Sequence, residues 1–399
     1  MAREPGGGTR RHTRANPHSA GEVSDGTSSR VPVVGAEYGE PAAVSRPRGW
    51  SARRTVRALR HAADSASAHR YRAAVSGAES AGPAAGSGAR RDAGVRHRRD
   101  IVRAGISDAE IRRRCTGGQW RRVRRGSYAD EAAYASMNAV ARHRVQVAAV
   151  LSGLAADAVV SHQSAAVLYG APVRMAQLDR VGVTRNRRNG GRIKPGLKVH
   201  CAPVETVAVV GGLLLTTPAR TIVDVARTAP LESAVVIGDA LAREYGVTAA
   251  DLAAELELAR CRTGIGAARR AVSLLDPHST SVGESRGRLL LHRLGLPVPR
   301  SQGEVFTADG RLLRRVPFYF GRTGVLGECT DRPDPDCREE ALRANGFHLV
   351  RWTWAQLSTG EAASRLRHAL IHARYDPPLG YIRQVPLPEP KRLMLRPLR

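Results

Sequence analysis

The chain has 399 residues, 42% of them hydrophobic, and carries 63 basic against 36 acidic side chains, a net charge of +27. That apolar content is enough for two or three packed domains and excludes a uniformly disordered protein, while the charge points to a polyanionic partner held in a salt-sensitive way. The dominance of arginine over lysine, with abundant Ala, Gly and Pro, is also what a GC-rich coding sequence produces, so composition alone does not single out nucleic acid.

Residues 1–95 mix Gly, Ser, Ala, Pro and Arg with no sustained helical or strand period. The expectation there is a disordered basic extension, or a natural start downstream of it, with at most a marginal helix over Arg53–Ala74. Arg96–Ala104 reads as a helix with Ile101 and Val102 as apolar contacts. Ser107 followed by Glu110 has the spacing of a capping box, which predicts a second helix over Asp108–Cys115, ended by Gly117 and Gly118. That helix carries Arg112, Arg113 and Arg114. A basic hairpin follows, with Trp120 and Val123 as anchors, Arg121, Arg122, Arg124 and Arg125 around them and Gly126 at the turn. A helix followed by a basic hairpin is a winged helix-turn-helix pattern. The same arginines could instead form a solvated face of a very basic protein.

Ala132–Leu151 reads as one helical stretch leading into VVSHQSAAVLYG, where His162 has no recognisable catalytic partner and reads as a capping or core histidine. The strands VGVT and LKVH flank a basic loop with Arg185, Arg187, Arg188, Arg192 and Lys194, read as a mobile hairpin tip. Thr217 as N-cap and Pro218 at the first helical position predict a helix through Arg227 with Ile222, Val223 and Val225 inward. Leu231–Tyr245 is again helical. After a polar turn at Asp276–Thr280 come a helix over Glu284–Leu294 and strands over Gln302–Phe306, Leu312–Phe320 and Gly324–Cys329. A helix over Arg338–Asn345, a strand over Phe347–Trp352 and a helix over Gly360–Ala373 complete the order. Asp376–Arg399 reads as an extended Pro-rich tail.

The segment GISDAEIRRR with GQWRRVRRGSYA resembles the N-terminal winged-helix module of AbiEi-type antitoxins. The segments SHQSAAVLYG and TTPARTIVDVAR resemble that family's middle domain. ESRGRLLLHRLGLPVP and REEALRANGFHLVRWTWAQL resemble the very-short-patch-repair-like endonuclease module of the restriction-endonuclease fold. The resemblance implies an α+β multidomain chain: a winged helix-turn-helix over 96–130, a mixed α/β middle domain over 131–276, a restriction-endonuclease-like domain over 277–373 and a basic tail over 374–399. It further implies double-stranded DNA as partner, repression of its own promoter and a cognate nucleotidyltransferase toxin.

Nucleases of this kind hold a divalent metal with carboxylates on adjacent strands. Here Pro317 occupies the first carboxylate position, Glu328 survives, Thr330 replaces the next and Asp331 stands one residue late, on the opposite face of a regular strand. Pro317 also predicts an edge or bulged strand. Glu284 is explained by a capping box with Ser281. The expectation is a nuclease-like fold without cleavage or cofactor, with a Mg-dependent endonuclease using Glu284, Glu328 and Asp331, and a protein-interaction scaffold, as alternatives. The five scattered cysteines form no CxxC pair, so neither a disulfide framework nor a zinc site is expected. Without an apolar run long enough for a bilayer or a signal segment, the reading is cytoplasmic with no membrane partner.

Overall fold

The computed structural model describes residues 94–155, 157–330, 338–373, 375 and 377–398. The expected N-terminal extension, its marginal helix and Asp331 lie outside the described residues. Within them the fold is mixed α+β, with three sheets.

The first sheet is small. Strand β1 (Arg96–His97) leads into helix α1 (Arg98–Arg103), a turn at Gly105 and helix α2 (Asp108–Thr116), and then the hairpin β2 (Trp120–Arg124) and β3 (Ser127–Asp130). The strand order is β1-β3-β2. Ile101, Ile111, Trp120 and Tyr128 form the core that fixes both helices to the hairpin. Val102, expected inside, is 43% exposed, because residue 102 follows the buried 101 round a helix whose one buried stripe faces the sheet. The single helix expected over 132–151 is two, α3 (Glu131–Ser136) and α4 (Ala139–Leu151). Asn138 stops the first and accepts from the Ala141 amide as N-cap of the second.

The central sheet has seven strands in the order β15-β8-β9-β4-β5-β7-β6. Its members are β4 (Ala158–Val160), β5 (Val181–Arg185), β6 (Arg192–Lys194), β7 (Leu197–Cys201), β8 (Thr206–Val210), β9 (Leu213–Thr216) and β15 (Met394–Pro397). Helices α5 (His162–Leu168), α6 (Pro218–Thr228), α7 (Leu231–Tyr245), α8 (Ala249–Leu258) and α9 (Ile265–Val272) accompany it. Ile222, Val223 and Val225 of α6 are buried in its core, as their spacing predicts, with Val160, Val183, Leu215 and Ile237. The segment read as a hairpin between β5 and β7 is not one. Those strands run parallel, and the basic loop carries the chain past the end of β7 so that β6 pairs antiparallel on its far side. Arg185 is tied there by a forked pair with Asp157, at 2.8 and 3.2 Å.

The third sheet has the order β13-β12-β11-β10-β14, from β10 (Arg300–Phe306), β11 (Leu312–Tyr319), β12 (Val325–Cys329), β13 (His348–Trp352) and β14 (Tyr381–Gln384). It packs with α10 (Val282–Arg293), α11 (Arg338–Ala344), α12 (Trp354–Thr359) and α13 (Glu361–His372). The strand bearing Pro317 lies between two others, not at an edge. Its pairing with β10 shifts register between Val305 and Phe306, opposite Arg314 and Leu312, while Gln302, between the Ser301–Phe318 and Gly303–Val316 pairs, takes φ +58°.

Two boundaries differ from the expected ones. Helix α10, placed in the third domain by sequence, packs Leu289 among Ala226, Ala234, Val235 and Ala268 of the middle helices, and its Arg288 donates to Asp239 of α7 at 2.8 Å. The stretch read as an extended tail adds β14 to the edge of the third sheet and β15 to the edge of the central sheet. Between them the Lys391 amide donates to the Glu244 carbonyl, and its ammonium meets the Glu244 carboxylate at 2.7 Å. Prolines spaced through this strap prevent a helix, yet leave enough free amides for edge pairing on each sheet. No described helix is long and apolar enough to cross a membrane.

Candidate functional site

Helix α2 presents its arginines unequally. Ser107 caps it by accepting from the Glu110 amide, but the reciprocal half of the expected capping box is missing, because the Glu110 carboxylate is held by Arg113 and by Arg114, the latter at 2.6 Å. Arg114 also lies over the Trp120 ring, 4.9 Å from its centroid, which commits it to packing. Arg113 keeps most of its length in solvent. Arg112 is exposed, and its side chain makes no hydrogen bond or ion pair among the described residues. Ile111 and Cys115 turn inward, so the outward stripe of the helix runs through Ala109, Arg112, Arg113 and Thr116.

In the hairpin the pairing slips between Arg122 and Arg124, which lets Val123 pack against the helix core behind. Gly126 takes φ +75° to close the turn. Arg121 donates to Glu131 at 2.9 Å and sits over Tyr134, whereas the side chains of Arg122, Arg124 and Arg125 make no hydrogen bond or ion pair among the described residues. The seven arginines singled out by sequence thus divide. Arg113, Arg114 and Arg121 are engaged by carboxylates of their own chain, and Arg112, Arg122, Arg124 and Arg125 are available. Sequence spacing alone could not separate them, since Glu110 and Glu131 find their partners only once helix and hairpin are formed.

The expected nuclease carboxylates are occupied differently from a metal site. Glu328 accepts from Arg314 at 3.1 Å on both oxygens and from Arg351 at 3.2 Å, so two guanidiniums supply the positive charge that a divalent ion would bring. Glu284 accepts from the Thr280 amide and hydroxyl and from Gln302, at 2.8 to 3.0 Å. Its box closes one residue before Ser281, whose hydroxyl accepts only the Glu284 amide. Among the described residues no three His, Cys, Asp or Glu side chains gather closely enough to hold a metal.

His162 is buried, as one of its two expected roles requires, but it does not cap α5. Ser161 holds the N-cap position, and His162 begins the helix with φ +55°, a strained conformation for a ring-bearing residue. Its Nδ1 meets the Ser161 hydroxyl at 3.0 Å, and its ring stacks on His200 with centroids 3.7 Å apart. Burial pushes His162 down to about 4 and, with the neighbouring His162, pushes His200 down to about 3; Asp224 opposes both shifts, Arg227 and Lys198 add to both, and Arg220 adds to that of His162. Both rings are therefore neutral near pH 7. Because the unfolded chain takes up these protons first, stability is intact above about pH 6.5 and falls as pH drops toward the folded values. We expect the two rings to contribute a loss on the order of a few kcal/mol by about pH 5, which the raised carboxyls of Glu255 and Asp239 oppose, so it is read as the difference in the pH dependence of Tm between the native chain and His200→Gln. An identical pH dependence in the two proteins would refute this.

No family profile matches the chain. Two uncharacterized proteins of Mycobacterium tuberculosis, one from each of two strains, are 33% identical to it over 127 residues, which is 31% of this chain and 47% of theirs. The chain thus spans about half the length of the curated relatives it matches.

Proposed function

We propose that β1, α1, α2 and the β2–β3 hairpin act as a winged helix-turn-helix that binds double-stranded DNA, and that the protein is a cytoplasmic, antitoxin-like transcriptional regulator rather than an enzyme. The observation that carries this reading is the set of four uncommitted arginines, one on the helix and three on the hairpin. Arg112, on the outward stripe of α2, suits the major groove, where a guanidinium can pair with both acceptors of guanine. Arg122, Arg124 and Arg125 suit the phosphate backbone, which sets register without reading sequence. By the family resemblance the target is the protein's own promoter, with a cognate toxin as a further partner. The pairing of Glu328 with two arginines supports a nuclease-like module retained for packing.

The test is fluorescence anisotropy of the full chain with the duplex upstream of its own gene and with a shuffled duplex, at about 50 and about 200 mM salt, a range over which backbone contacts are strongly weakened. Preference for the first duplex that persists at the higher salt is expected. Equal binding to both, erased by salt, would reduce the reading to non-specific attraction. Mg- or Mn-dependent cutting abolished by Glu328→Ala would overturn the non-enzymatic part.

A further inference from the structure

Away from the hairpin, the central sheet and its helices enclose a cavity of about 410 Å³. Its floor is the His162–His200 stack, at the start of α5 and the end of β7. One wall is a face of α6, where Arg220, Asp224 and Arg227 recur at helical spacing, and the lining also takes in Arg262 from the turn between α8 and α9 and Arg188 from the loop after β5. Four guanidiniums therefore border this space against the single carboxylate of Asp224.

That carboxylate is already fully engaged. Arg220 donates to it at 2.8 Å and Arg227 at 3.0 Å, and Arg227 also donates to the Thr263 carbonyl. Arg220 is buried, 7% exposed, and its Nη2 has no hydrogen-bond partner. A buried guanidinium N–H left unpaired is costly and is ordinarily satisfied by something. Glu255 approaches Arg220 only at 3.8 Å, beyond hydrogen-bonding range, and burial pushes its carboxyl up to about 7, so its offset of the charge is partial. Arg262 lines the cavity with no hydrogen bond or ion pair from its side chain to the described residues. The turn that carries it is clamped on α6 by Gly264, at φ +85°, where a Cβ would lie 2.1 Å from the Arg227 carbonyl oxygen. The arginine arrangement is thus held from both sides before anything binds.

We propose that this cavity is a binding site for a phosphate group, with Arg220, Arg262 and Arg188 as its donors and the stacked histidine pair as its floor. Guanidinium forks match phosphate oxygens two at a time, and a dianion offsets two of the three positive charges left over after Asp224 neutralises one. The volume lies within the range of small-ligand pockets, so the phosphate can be carried by a compact organic group such as a nucleoside. The same chemistry could also be met by a DNA backbone phosphate, and the experiment separates the two sources.

The full chain is titrated with inorganic phosphate at about pH 7.5, with chloride at matched ionic strength as control, and thermal shift and calorimetry are read. Saturable stabilisation by phosphate beyond chloride is expected, weakened at least tenfold by Arg262→Gln combined with Arg188→Gln. These two side chains make no buried contact needed for folding, unlike Arg220, and far-ultraviolet circular dichroism checks that the variant is folded. The triple variant Arg122→Ala, Arg124→Ala, Arg125→Ala should bind phosphate unchanged, which keeps this site separate from the DNA-binding reading. If the double variant keeps full affinity for duplex DNA, the source is a free phosphate compound; if it loses DNA affinity and phosphate competes with DNA, the source is the backbone. A shift no larger than that of chloride, or one unchanged in the double variant, overturns the site.

Discussion

Replacing Arg122, Arg124 and Arg125 together with alanine is expected to lower affinity for every duplex by about two to three orders of magnitude near 0.1 M salt and to flatten the salt dependence by about 2.7 in the log–log slope. The figure follows from three phosphate contacts, each releasing close to one condensed counterion. The three side chains make no ion pair among the described residues, so removing them should leave the fold and its thermal stability nearly unchanged. Arg121→Ala provides the contrast. Its guanidinium is bound to Glu131, so it should cost little DNA affinity and leave the slope close to that of the native chain. Arg112→Ala should differ in kind, reducing the preference for the native promoter over a shuffled duplex by about 1–3 kcal/mol with little change in slope. An unaltered slope in the triple variant would remove the hairpin from the interface.

The second large effect is structural. Arg288→Met is expected to destabilise the protein by about 3–5 kcal/mol, the usual consequence of removing one partner of a buried ion pair. Arg288 is 2% exposed, and besides Asp239 it satisfies the Leu274 carbonyl at 2.5 Å. Without it, Asp239 keeps only the Asp276 amide and the Ser285 hydroxyl, both at 2.7 Å. Burial already pushes the Asp239 carboxyl up to about 6, and loss of the guanidinium should push it further. A raised carboxyl pKa favours the folded state less as pH rises, so the variant should recover part of its loss on acidification toward about pH 5. Pairing it with Asp239→Leu should recover more, since the stranded charge is then gone. Chemical denaturation of the four proteins of the cycle measures both claims, and a loss under about 1 kcal/mol would show the pair to be dispensable.

Local signals in the chain were sufficient for many elements. Thr217 and Pro218 begin α6 as their chemistry requires, Ser107 caps α2, and the strand ranges expected for the third sheet place β10 to β13 within a residue or two of their observed ends. Interactions across sequence distance were not legible. Nothing local in YIRQ or PKRLMLRP says which sheet edge a segment will join, and β15 pairs with β8 although the two are far apart in sequence. The same holds for the phosphate cavity. Arg220, Asp224 and Arg227 stand at helical spacing in TTPARTIVDVAR, a visible cue, but only the fold brings His200 and Arg262 to them. Glu328 shows the converse, a residue legible as a nuclease remnant whose arginine partners come from two neighbouring strands.

The strap that ends in β15 has a consequence for biosynthesis. Strand β8 emerges from the ribosome long before the segment that pairs with it, and until Leu395 arrives opposite Ala208 its outer edge stays open. Open β edges recruit other strands, and chains that fold as they are made are most exposed to misassembly in that interval. The nascent protein should therefore depend on holding factors until its last strand docks, and a ribosome stalled shortly before Met394 should carry a folded but association-prone chain.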